Sequence, residues 1–137
     1  MKLRTAASAC ALALLLVTSG CGSSDDDEAA LGTLEGDGPV RISSRERVAV
    51  EIHPSAPIKL GKNTVLVTFP ETGAELVSAS ALMPAHGHGS PAPKIERSTE
   101  GFVVRDLVLY MSGRWELRLG LRVDAREDEA IVAVDVP

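Results

Sequence analysis

The sequence predicts an all-β protein, an immunoglobulin-like β-sandwich of about seven strands. Apolar and polar residues alternate over several short stretches, and Gly, Pro, Asn and Asp separate these stretches. No stretch beyond the N-terminal segment has a helical period. The 137 residues allow one domain of ordinary size. Because only 3% of them are aromatic, the core must be mainly aliphatic.

The predicted strands run from residue 47 to the C-terminus. The clearest of them begins at Trp115, where every second residue is apolar and Glu116 and Arg118 point to the opposite face. We expect a bend near Arg105–Asp106 and a charged turn over 124–129. The predicted strands are 47–53, 64–69, 76–83, 102–111, 115–123 and 131–136.

The first 20 residues have the features of an export signal. Lys2 and Arg4 precede a short apolar run, and small residues lead into Cys21. The run is shorter than the roughly 20 residues that cross a membrane. The segment before Cys21 resembles a bacterial lipobox, in which the cysteine sulfur receives a lipid and becomes the mature N-terminus. An ordinary secretory signal is the alternative.

The export signal divides the chain into three predicted parts. Residues 1–20 form the signal, residues 21–39 form the lipidated Cys21 with an acidic, disordered tether, and residues 40–137 form the sandwich. We expect the lipid to hold the protein at the cell envelope. Gly22 is not the Asp that favours inner-membrane retention in enteric bacteria, so the outer membrane facing the periplasm is preferred.

Charge and cysteine usage exclude several function classes. A formal charge of −5 argues against a partner that is nucleic acid. Cys10 lies in the signal and Cys21 is expected to carry lipid, so no thiol remains for a disulfide, a zinc site or a nucleophile. The chain has neither a Gly-x-Ser-x-Gly nor a His-Glu-x-x-His motif. We therefore predict that it is not an enzyme.

One loop, residues 83–89, contains side chains of types that bind metal ions. His86 and His88 are two residues apart, and side chains at that spacing share one face of an extended segment. Met83 before them and Met111 after a later strand could add thioether sulfur. Imidazole and thioether together suit copper, especially Cu(I), better than Mg or Ca. The alternative is that both methionines pack in the core and the histidines lie in a solvated loop.

Four segments between residues 60 and 121 form a recognisable series in this order: Leu60–Asn63, Met83–Gly89, Gly101–Phe102 and Met111–Trp115. With these segments, the stretch 60–121 resembles the YtkA-like domain family, which is related to the periplasmic part of FixH-type proteins. Ser112 stands where the family usually has Pro. FixH relatives are linked with the assembly of copper-containing respiratory oxidases, so the resemblance implies copper at Met83, His86, His88 and Met111.

Two functions follow from these expectations. The preferred one is a lipid-anchored envelope protein that binds or transfers copper, with a membrane-bound oxidase or copper exporter as its partner. The alternative is a metal-free module that contacts an envelope complex through its loop or sheet surface. Copper binding requires both histidines and at least one sulfur to lie within bonding reach of one ion.

Overall fold

The computed structural model describes residues 32–71 and 73–137, which form ten strands and no helix. None of the described residues belongs to a helix that could span a membrane. The strands are β1 (Thr33–Leu34), β2 (Val40–Ser43), β3 (Ala49–Pro54), β4 (Gly61–Thr68), β5 (Glu75–Met83), β6 (His88–Gly89), β7 (Lys94–Arg97), β8 (Phe102–Leu109), β9 (Gly113–Val123) and β10 (Arg126–Val136).

The strands form two five-stranded sheets packed against each other. Sheet A has the order β1-β10-β9-β5-β6, and sheet B has the order β2-β3-β4-β8-β7. The described pairings are antiparallel except for that of β1 with β10. The prediction of an all-β sandwich is confirmed. Four strands were missed because each has only two or four residues, too few to show an alternating pattern.

The core lies between the sheets and is mainly aliphatic, as expected. Every second residue of β9 from Trp115 to Leu121 is completely buried. Val65 and Val67 of β4 face them from sheet B and are also completely buried. Full burial of such a side chain stabilises the fold by about 1.5–3 kcal/mol. The period-2 pattern of the sequence therefore identified the inner faces of β9 and β4 correctly.

The hairpin that joins β9 to β10 is tighter than predicted. The charged turn expected over 124–129 contains only two turn residues, Asp124 and Ala125, with φ of 48° and 65°. Two consecutive left-handed residues match the twist of the flanking strands. The remaining charged residues belong to β10, which starts at Arg126 rather than at the predicted Ile131. They are exposed or half-buried there, so no alternating apolar signal marks this part of the strand.

The predicted bend in β8 is present at Asp106. This residue has a φ of 56°, and the register between β4 and β8 shifts at the same level. The Nζ atoms of Lys62 and Lys94 each lie 3.1 Å from one carboxylate oxygen of Asp106. Hydrogen bonds from Lys62 and then from Lys94 hold the pKa of Asp106 below its ordinary value of 3.8. The bend thus joins β4, β7 and β8 through three charged groups.

The folded region begins before the boundary predicted at residue 40. Thr33 and Leu34 pair with Ala133 and Val134 of β10, and Leu34 is completely buried. The prediction of a disordered tether is therefore wrong for this segment, because the acidic composition around Leu34 concealed a core contact. The predicted signal, Cys21 and the first part of the tether lie outside the described residues.

Candidate metal site

The histidine loop is the turn of the hairpin formed by β5 and β6. Met83 and His88 are partners in the ladder, so Pro84–Gly87 make the turn between them. The turn is closed by hydrogen bonds from the His86 amide to the Met83 carbonyl at 3.2 Å and from the Gly87 amide to the Pro84 carbonyl at 3.3 Å. Gly87 takes a φ of 62°, which glycine adopts at little cost. Pro84 follows the last residue of β5, and Gly87 allows the chain to reverse direction.

The hairpin is attached to its neighbours just beyond the turn. The Ser90 amide donates to the Ala81 carbonyl at 2.9 Å, and the Ser90 hydroxyl donates to the Val108 carbonyl of β8. The Tyr110 hydroxyl donates to the Gly89 carbonyl at 3.4 Å. These bonds connect the hairpin of sheet A to the end of β8 in sheet B. The backbone that carries the histidines therefore has a defined position.

The structure brings the two predicted histidines together. The ring centroids of His86 and His88 are 6.0 Å apart, with 31° between the ring planes. Both residues are exposed, and among the described residues neither imidazole makes a hydrogen bond or ion pair. The nitrogen lone pairs are therefore available to a ligand from solvent. Two neighbouring imidazoles are suitable donors for Cu, Zn or Ni.

The two predicted methionines lie differently from the histidines. Met83 is only 2% exposed and belongs to the core cluster, and its Cε lies 3.5 Å from the place that a Cβ on Gly113 would occupy. Met111 is partly buried and packs against the same cluster. Its carbonyl accepts a hydrogen bond of 3.0 Å from Trp115 Nε1. Burial of Met83 agrees with the alternative reading of this residue as core packing.

Aromatic rings continue from the histidines into the core. The Tyr110 centroid lies 6.4 Å from that of His88 and 5.2 Å from that of Trp115, with an edge-to-face arrangement at Trp115. Tyr110 is nevertheless 45% exposed. Tyr110 was not predicted as a site residue, although it immediately precedes Met111. It lay inside the predicted strand 102–111, so no local signal distinguished it from its neighbours.

Leu60 was predicted as part of a matching segment but not as a site residue. Gly61 pairs with Leu109, so Leu60 and Tyr110 flank the last pair of this ladder. The corner is held by buried Asn63, whose side chain donates to the Lys59 carbonyl at 2.8 Å and accepts from the Lys59 amide at 3.0 Å. Leu60 is 50% exposed. Two exposed large side chains therefore follow from one strand end, and the ring of Tyr110 is the one that lies beside His88.

The donor set limits the metal chemistry of the described residues. They contain no group of three or more His, Cys, Asp or Glu that could hold a metal ion. A tetrahedral zinc site built from this chain alone would need more donors than the loop offers. The loop therefore offers the two imidazoles of His86 and His88, because the thioether of Met83 is buried in the core.

Comparison with known proteins gives no relative. No family model, no curated protein and no solved structure matches the chain. The resemblance to the YtkA-like family stays a prediction.

Proposed function

We propose that this chain is a YtkA-like, lipid-anchored protein of the bacterial cell envelope that binds Cu(I) through His86 and His88. It passes the ion to a membrane-bound acceptor, such as a respiratory oxidase or a copper exporter. The observation that carries the proposal is the pair of exposed imidazoles 6.0 Å apart on one hairpin turn. No catalytic step is part of it.

The role of sulfur in the proposal follows from burial. Met111 is only partly buried, so its thioether is the more accessible of the two. Met83 is in the core and would have to leave it to contact an ion at the histidines. We therefore assign ligation to His86 and His88 and propose Met111 as the third donor, whose sulfur must move from its packing against the core to reach the ion. An exposed site of two or three donors suits exchange with an acceptor better than permanent retention.

The anchor is the second part of the proposal. The small residues before Cys21 support lipid attachment at that sulfur, and the lipid would keep the sandwich at the outer membrane facing the periplasm. A tether between the lipid and β1 lets the histidine loop meet a membrane-bound partner. This restricts the search for an acceptor to envelope proteins.

An anaerobic Cu(I) competition titration of the purified full-length chain in mild detergent tests the metal site. We expect one-to-one binding, and we expect the His86→Ala, His88→Ala double variant to lose at least about 100-fold in affinity, since even an outer partner of a ligand contributes 10–100-fold. His53→Ala is the matched control, because it also removes one imidazole but does so outside the histidine loop. His53 lies on β3, where its Nε2 is 3.5 Å from the Glu51 carboxylate. Equal affinities of the wild type and the double variant would refute the proposal.

A metal-free interaction module is the second candidate function. Its support is the exposure of Tyr110, whose ring centroid lies 6.4 Å from that of His88, and of Leu60 at the same end of the β4–β8 ladder. This function predicts a partner whose binding depends on Leu60 and Tyr110 and is unaffected by removal of both imidazoles. The titration separates the two functions, since only the first requires copper.

A further inference from the structure

The histidine hairpin supplies half of a four-coordinate imidazole site. Cu(II) prefers four nitrogen or oxygen donors in a tetragonal arrangement. The described part of the chain offers His86 and His88 and no group of three or more His, Cys, Asp or Glu. We propose that Cu(II) joins two copies of this chain, with His86 and His88 of each copy providing the four donors. This inference rests on the proposed function, because it uses the same histidine pair.

The histidine pair is sterically accessible to a second copy of the chain. Both histidines are exposed at the turn of a hairpin whose second strand has only two residues. Their chain neighbours Ala85, Gly87 and Gly89 are small and exposed, and no heavy atom lies within 4 Å of the place that a Cβ on Gly87 would occupy. A second hairpin can therefore approach the rings without meeting a bulky side chain from the turn itself.

Exposed apolar side chains on this side of the molecule would be buried by a second copy. The described residues expose three large hydrophobic side chains, and two of them, Leu60 and Tyr110, flank the last pair of the β4–β8 ladder. The centroid of the Tyr110 ring is 6.4 Å from that of His88, so this apolar surface reaches the metal donors. In a two-fold dimer the same patch meets itself, and Leu60 and Tyr110 of both copies become buried around the ion.

The symmetry of the arrangement also explains why two donors per chain are sufficient. A two-fold axis through the ion repeats each imidazole once, so two histidines become four ligands. Cu(I) in the proposed function is held by one chain and remains open to an acceptor. Copper supplied as Cu(II) favours the closed dimer, because the second copy provides the two further imidazoles that a four-donor tetragonal site requires.

The test is a Cu(II) titration of the purified full-length chain in mild detergent, followed by native mass spectrometry and electron paramagnetic resonance. The expected result is one copper per two chains, a doubled protein mass that reverses on chelation, and hyperfine coupling from four nitrogens. His86→Ala and His88→Ala should each abolish the doubling, whereas His53→Ala should leave it unchanged. Leu60→Ser should weaken the dimer while the isolated chain keeps its affinity for Cu(I), because the described hydrogen bonds that position the histidine hairpin do not involve Leu60.

Each contrary outcome has a separate meaning. One Cu(II) per chain with no change in mass overturns the inference and leaves the proposed Cu(I) function standing. A dimer that forms equally well without copper, or with both histidines replaced, overturns the bridging role. If the wild-type chain binds neither Cu(I) nor Cu(II), the inference and the proposed function are both overturned.

Discussion

The two hairpins of sheet A reverse the chain in different ways. The β9–β10 hairpin pairs residues along two strands of eleven residues each, and the inner side of β9 is completely buried from Trp115 to Leu121. The β5–β6 hairpin pairs only Leu82 and Met83 with two exposed residues. The first hairpin contributes the core, and the second presents two imidazoles to solvent. The candidate site therefore lies at the turn of the short hairpin, whereas the continuous buried face lies along the long one.

The largest expected effect comes from removing core volume in the long hairpin. Leu119→Ala should lower the free energy of unfolding by about 2–5 kcal/mol, because the completely buried side chain leaves a cavity. His86→Ala and His88→Ala should each change it by no more than about 0.5 kcal/mol, as is usual for exposed positions. Urea denaturation of the three variants measures the difference. A histidine variant as unstable as Leu119→Ala would show that the short hairpin also supports the fold.

The turns of the two hairpins offer a reciprocal exchange of glycine and alanine. Ala125 has a φ of 65° and Gly87 a φ of 62°, a region in which a Cβ is unfavourable. Ala125→Gly should raise the free energy of unfolding by about 0.5–1 kcal/mol, and Gly87→Ala should lower it by about 1 kcal/mol. Thermal or urea unfolding measures both.

Two controls sharpen the exchange of turn residues. Ala49→Gly, in strand β3 where the backbone is not left-handed, should destabilise the protein, because glycine gains nothing there. Gly87→Asn should be milder than Gly87→Ala, since Asn tolerates the left-handed region. If Ala125→Gly and Ala49→Gly had the same sign, backbone conformation would not be the cause.

The sequence predicted the long hairpin far better than the short one. Alternating residues from Trp115 to Leu121 have one possible inner face, so the pattern alone identified the core. The start of β10 was missed because its charged residues do not alternate with apolar ones. β1 was missed because a single buried residue, Leu34, cannot form an alternating pattern. β1 depends on a partner, β10, that is distant in the chain.

The candidate site was predicted in part for the same reason. His86 and His88 are close in sequence, so their spacing indicated their proximity. Tyr110 reaches them only because β8 ends beside β6, where its hydroxyl bonds to the Gly89 carbonyl. That contact joins two sheets and cannot be read from local spacing. The burial of Met83 likewise depends on Gly113 of another strand.

The smallest expected effect concerns β7, the strand that follows the short hairpin. Unlike β10, it has no fully buried residue, and ion pairs connect it to β8 through Lys94 with Asp106 and Glu96 with Arg105. Asp106→Asn keeps a residue that tolerates the φ of 56° but removes the charge. We expect a small loss of stability at neutral pH that decreases as salt is added, because these groups are largely exposed.

The pH dependence of this loss follows from the pKa of Asp106, which Lys62 and Lys94 lower on folding. A carboxyl group with a lowered pKa stabilises the fold above its unfolded pKa, and that contribution is lost as the pH falls through its folded pKa. The urea midpoints of wild type and Asp106→Asn should therefore differ at neutral pH and converge in acid. Replacing Lys62 and Lys94 by Met should abolish the difference. A difference between the two urea midpoints that stays constant from neutral pH into acid would contradict this. It would show that Asp106 acts through backbone geometry and that its ion pairs do not stabilise β7.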